Sequence, residues 1–329
     1  MRTVFIFLAI FYSSPTVAAQ ITIQDFGQQK SDIPKDSSLL FGNDIISTHR
    51  NEYNLTIAPE GDMILFTVAN NSSANRYYTI FLCEKKNGNW QTPQIAPFSG
   101  QYSDADPFFS PNGDGVYFIS TRPTTENAVK SDFDIWTVGY KNGKFGEPKH
   151  LGTTVNTTND ELYPSVSRTG DLFFSTENGV NGYDLMVSKI ENNTFQLPSA
   201  LADSINTEAT EFDAFVAPDE SYIIYTNMGG KDNLGSGDLY ISFNKGDYWT
   251  KGKNLGEKVN TIHMEQCPTV SSSGQFLFFT SFRDNQQYAF DSPVSTGEYL
   301  KLLDSPLNGL GDIFCIELNA LLKEIKFQY

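Results

Sequence analysis

The sequence predicts an all-β protein: a single closed β-propeller of five four-stranded blades, with six as the alternative count. Three observations carry this. One pattern of residues is written five times. Each copy reads as strand, tight turn, strand. Each copy is followed by a third strand with its own repeated opening.

The clearest copy is DADPFFSPNGDGVYFISTR, from Asp104 to Arg122. Phe108 and Phe109 are strand formers, Pro111-Asn112-Gly113 is turn chemistry, and Val116 to Ile119 is a β-branched and aromatic run. The other copies are EYNLTIAPEGDMILFTVAN from Glu52, ELYPSVSRTGDLFFSTEN from Glu161, EFDAFVAPDESYIIYTNM from Glu211 and EQCPTVSSSGQFLFFTSFR from Glu265. Their turn positions, Gly61, Gly113, Gly170, Glu220 and Gly274, are 52, 57, 50 and 54 residues apart. A period of that size marks a solenoid, propeller or array. The third strands are YTIFLCEK from Tyr78, DIWTVGYK from Asp134, DLMVSKI from Asp184, DLYISFN from Asp238 and DIFCIEL from Asp312. A weaker fourth strand follows, as in GKFGEPKHLG ending at Gly152. Four strands in roughly 50 residues make a propeller blade.

The crossovers between copies are also related: LGTTVNTTNDELYPSVSRTG from Leu151, LADSINTEATEFDAFVAPDE from Leu201 and LGEKVNTIHMEQCPTVSSSG from Leu255. With the strand ending S-x-R and the following D-[IL]-aromatic strand, this pattern resembles the WD40-like propeller repeat known as PD40. The TolB and tricorn propellers carry the same repeat. The resemblance covers about residues 40 to 318. It implies a propeller and leaves function open, because propellers host many functions.

In chain order, residues 1–19 read as a signal peptide. Arg2 is the only charge, VFIFLAIFY from Val4 is the apolar stretch, and Val17-Ala18-Ala19 fits a cleavage site. The expectation is a secreted or periplasmic protein without membrane insertion. Residues 20–40 read as a polar leader, 41–318 as the propeller, and 319–329 as a short amphipathic tail. No linker separates two globular units. Three cysteines, Cys83, Cys267 and Cys315, do not make a disulfide framework and read as buried thiols. Alternation places Cys83 and Cys315 on opposite sides of their sheets.

A formal charge of −16 argues against nucleic acid and anionic membranes as partners. It permits a divalent cation or a basic protein. No cofactor is otherwise expected, and the chain reads as a monomer.

Antiparallel connectivity places the crossovers and the loops between second and third strands at one end of every blade. Glu52, Asp104, Glu161, Glu211 and Glu265 open their innermost strands at that end, beside Asp106 and Asp213. Arg122 and Arg283 close second strands there. In one reading each acid caps backbone N–H groups and fixes the crossover. In the other the acids and arginines form a ligand site at the channel mouth. His49 and His263, near Glu52 and Glu265 in the first and last blades, are the candidate metal ligands.

No G-x-S-x-G elbow, Walker loop or G-x-G-x-x-G occurs. The function expected is therefore non-catalytic binding of a protein, peptide or cell-envelope glycan through the loop-rich face. The alternative is a carbohydrate-active hydrolase or lyase using carboxylates at the channel mouth.

Overall fold

The computed structural model describes residues 38–326 except 73, 126–129, 131, 178–181, 285–289 and 291. The expected signal peptide, the leader up to residue 37 and residues 327–329 of the tail lie outside the described residues.

Among the described residues five antiparallel blade sheets form, one from each sequence copy, beside a two-stranded hairpin of Ile190–Glu191 and Thr194–Phe195. In the first blade the strands are Asn51–Ile57, Met63–Ala69, Tyr78–Lys86 and Gln94–Ile95. The second has Asp104–Phe109, Gly115–Ser120, Asp134–Lys141 and Lys149–His150. The third has Glu161–Val166, Leu172–Glu177, Tyr183–Ser188 and Ser199–Ala200. The fourth has Thr210–Val216, Tyr222–Met228, Asp238–Phe243 and Lys253–Asn254. The fifth takes Glu265–Val270, Phe276–Ser281 and Asp312–Glu317 from its own copy. First strands touch the first strands of both neighbouring blades, and the fifth blade's returns to the first blade's. The ring is closed.

The closure differs from the sequence reading in one respect. Leu39–Leu40, assigned there to the polar leader, is the outermost strand of the fifth blade. Leu39 pairs with Cys315 and Leu40 with Phe314. The Phe41 amide then donates to the Ile313 carbonyl at 2.8 Å. Two residues are too few to show a strand period, so the strand left no pattern to read.

The cores lie between blades. Leu65, Phe118, Phe174, Ile224 and Phe278, one from each second strand, are all buried. Phe41, Phe278, Cys83 and Cys315 share the cluster joining the fifth blade to the first. Facing into one gap from two blades, the two cysteines sit on opposite sides of their sheets, and all three thiols are free and buried. The five turn positions all have positive φ, including Glu220 at 57°. Glycine takes that conformation without strain, and Glu220 does not.

Among the described residues there are two helices. Thr296–Leu303, within the long fifth-blade insert, starts at Ser295 with a capping box to Glu298. Leu318–Lys326 forms from the tail and buries Leu318, Leu321 and Ile325 against the fourth and fifth blades. Among the described residues no helix is long and apolar enough to cross a membrane.

Candidate functional site

The crossover motif has a direct physical meaning. In N-T-x-x-x-E the acid turns back onto the threonine four residues earlier. Thr157 donates from its hydroxyl to Glu161 at 2.6 Å and from its amide at 3.1 Å. Thr48 and Glu52, Thr207 and Glu211, and Thr261 and Glu265 repeat the arrangement. The second blade substitutes Ser99 and Asp104. The S-x-R ending serves the same acids. Ser120 and Arg122 both donate to Asp104, at 2.6 and 2.7 Å, and Ser281 donates to Glu265 at 2.7 Å. Arg283 lies 3.5 Å from Glu265.

The motif asparagine joins consecutive blades. Asn156 accepts from the Ile135 amide and donates to its carbonyl, at 2.8 and 3.0 Å. Asn206 treats Leu185 in this way and Asn260 treats Leu239. Each asparagine therefore supplies a strand-like partner to the start of a third strand, just past the short fourth strand that pairs with it. Asn156→Ala would leave the buried Ile135 N–H unpaired, at about 1–3 kcal/mol, while the Ile135 carbonyl keeps the Leu151 amide at 3.3 Å. We expect the melting temperature to fall by about 5–10 °C. An unchanged melt would remove Asn156 from this role.

All five ring acids are buried, as is Arg122. None of them lines the axial cavity described below. Arg122 stacks over Phe118, Tyr102 and Trp136 and donates to the Phe98 carbonyl. Arg283 lies over Phe314 and donates to the Ser38 hydroxyl, beside the closing strand. It shares a separate groove of about 550 Å³ with His263. His49 gives its carbonyl to Asn308. Among the described residues no three His, Cys, Asp or Glu side chains gather as a metal-holding group. Burial pushes Glu52 and Glu161 up to about 7, against the hydrogen bonds from Thr48 and Thr157.

A second feature recurs two residues after each acid. Asn54, Asp106, Tyr163, Asp213 and Cys267 all have φ between 37° and 53°. Every innermost strand slips its register there, from Tyr53/Leu55 to Gln266/Thr269. These are β-bulges, which re-aim side chains, and here they frame the propeller axis. The bulge amides need acceptors. Asn54 donates to Thr280 of the preceding blade, Asp106 to Thr67 and Asp213 to Ser175. In the second blade Ile119 stands where the others carry a hydroxyl, and Asp106 itself accepts the Tyr163 amide at 3.1 Å. Asp213 likewise takes the Cys267 amide, and the Cys267 thiol donates to it at 3.2 Å. Tyr163 crosses the axis and donates to the Pro268 carbonyl at 2.8 Å.

Above this ring opens a cavity of about 380 Å³. Starts of first strands, ends of second strands and starts of third strands line it, so it faces the crossover end of the barrel. Its walls include Tyr53, Tyr78, Phe133, Tyr183 and Phe212. The Tyr78 ring sits 6.1 Å from Tyr53 and 6.0 Å from Phe133. Asp106, Asp213 and Cys267 also line it, and Arg76 and Asp160 stand among the lining residues. Burial raises both Asp106 and Asp213 above the usual carboxylate range, and Asp106 raises Asp213 further. The aromatic wall is the part that sequence reading missed. Its members sit one residue after the acids or at third-strand starts, in columns that vary from blade to blade.

No family model matches the chain, and no curated protein matches it. Solved structures do. A glycoside hydrolase aligns over 90% of this chain and 95% of its own, at 11% identity and a TM-score of 0.53. TolB of Agrobacterium tumefaciens aligns over 74% and 73%, at 14% identity and a TM-score of 0.46. A puromycin-hydrolyzing peptidase of Mycobacterium tuberculosis aligns over 79% of this chain and 41% of its own, at 11% identity and a TM-score of 0.39. At these identities the similarity is one of fold: the chain is a β-propeller.

Proposed function

We propose that this chain is an exported PD40-type propeller that binds a protein, peptide or cell-envelope glycan at its crossover face. The axial cavity takes a side group of the ligand. One observation carries the reading: a pocket walled by aromatic rings, with Arg76, Asp106, Asp160 and Asp213 as its charged groups, opens at the crossover end. Concave, largely apolar sites with a small number of fixed polar groups suit ligand recognition. Aromatic rings offer rigid contact area to a sugar face or an apolar side chain.

The hydrolase reading draws on a different observation, the Asp106 and Asp213 carboxyl groups facing one cavity. Environments that hold carboxyls protonated are also how enzymes make general acids. Both groups already accept the bulge amide of the next blade, however. Their placement is accounted for without chemistry, and binding is the better-supported function.

Peptide and glycan arrays probed with the chain test the reading. A hit should lose about tenfold in affinity in Tyr183→Ala and in Phe212→Ala, at unchanged fold. Full affinity in both variants would move the site away from the axis. Turnover of an array hit, abolished in Asp213→Asn, would favour the hydrolase.

A further inference from the structure

We infer that the ligand presents an ammonium group to the axial cavity, held by Asp106 and Asp213 beneath the aromatic wall. This rests on the binding reading above and names the chemistry of the group that enters.

The first argument is charge. One cation, Arg76, lines the cavity against three acids, Asp106, Asp160 and Asp213. Arg76 is engaged with Tyr78 at its side chain. Asp160 accepts the Phe133 amide at 2.7 Å. Among the described residues no lysine or arginine pairs with Asp106 or Asp213. The groups facing the two carboxyls from the other blades are Asn54, Tyr163 and Cys267, none of them a cation. Buried carboxyls are ordinarily paired or protonated. These two have only the second option until a cation arrives.

The second argument is shape. The carboxyls lie at the base of a box of rings, and a ring face attracts a cation within about 6 Å by about 0.5–2 kcal/mol. A neutral apolar ligand would use the rings and leave the floor unmatched. An anion would leave the two carboxyls protonated and gain no ion pair from them. A carboxylate has about four acceptor sites. The bulge amides and the thiol occupy part of this capacity and leave room for an N–H donor.

Two sources carry such a group, a lysine side chain and an amino sugar. Nα-acetyl-lysine amide and methyl glucosaminide are the probes, each compared with its N-acetylated counterpart by NMR titration of the full chain. Each ammonium probe that fits is expected to bind about tenfold tighter than its acetylated partner, and the better of the two identifies the source. Affinity for the lysine probe should rise from pH 6 to pH 9, because the cation must displace protons that burial holds on the carboxyls. Asp106→Asn and Asp213→Asn should each remove most of the preference while the melting curve stays in place. The amide oxygen of Asn still accepts the bulge N–H, so the fold is kept. Equal affinity for acetylated probes, or a preference that survives both variants, overturns the inference. If acetylated probes bind as well and lose affinity in Phe212→Ala, the pocket stands and only the cation falls. Absence of binding by all four probes also overturns the cation, and the arrays then decide the pocket alone.

Discussion

A chain beginning at Gly42 is expected not to form a stable monomer, whereas one beginning at Ser38 should melt as a single cooperative unit. The four residues between hold the ring shut. Leu39 and Leu40 supply the fourth strand of the fifth blade, and the Phe41 amide extends the ladder to Ile313. Phe41 is buried with its ring 4.9 Å from Phe278, edge on, between the fifth blade and the first. Deleting a buried Phe side chain alone costs about 3–5 kcal/mol. The exposed edge of the Asp312–Glu317 strand adds unpaired backbone and invites association. Together these approach the about 5–15 kcal/mol that a whole domain commands. Size-exclusion and thermal melts of the two truncations check it. A monomeric chain from Gly42 with an unchanged melt would show that the ring closes without this strand. Phe41→Ala, a milder lesion, should still lower the melt by several degrees.

The blades were legible because their signals are local. Turn glycines, alternating apolar residues and the N-T-x-x-x-E spacing recur within about 20 residues of one another, and periodicity multiplies a weak signal by five. The closing strand was not legible, because its partner lies some 270 residues away in sequence and nothing local demands it. The acids were legible as a column but not as to direction. Whether Glu161 looks into the channel or back at Thr157 depends on the crossover's path, which the identity of the residues does not show.

The bulges left one signal that went unused. Pro107, Pro164 and Pro268 follow the bulge residue in three blades. A proline inside a central strand has no ladder N–H to donate, so it marks a bulge or an edge. A bulge in the innermost strand sends an extra side chain to the axis. Asp106, Tyr163 and Cys267 could have been placed there from that column alone. The cavity wall could not. Tyr53, Phe133, Tyr183 and Phe212 come from four blades, and only their convergence makes a box.

The protein should be most stable near pH 5 and should lose stability steadily toward pH 8. Glu52 and Glu161 hold the blade crossovers, Asp312 opens the fifth blade's third strand, and burial lifts each to about 7 from ordinary values of 4.5 for Glu and 3.8 for Asp. Glu211 moves in the same direction, chiefly from burial. Between about pH 4 and 7 the folded chain therefore holds protons that the unfolded chain releases. Stability from these groups is complete below the unfolded values and is lost as pH climbs through the folded ones. One such group is worth a few kcal/mol at most by the usual conversion of about 1.4 kcal/mol per unit. Several in concert should move the melt by about 10 °C. Self-repulsion of a chain of charge −16 would act in the same direction. Salt separates the two causes, since it screens surface charge and leaves buried groups nearly untouched. Melts from pH 4.5 to 8.5 at low and high salt should thus keep most of the slope. Glu161→Gln, whose amide oxygen can still accept from Thr157, should flatten it by one group's share. A melt that is level across this range, or highest at pH 8, would show that these carboxyls ionise freely within the fold.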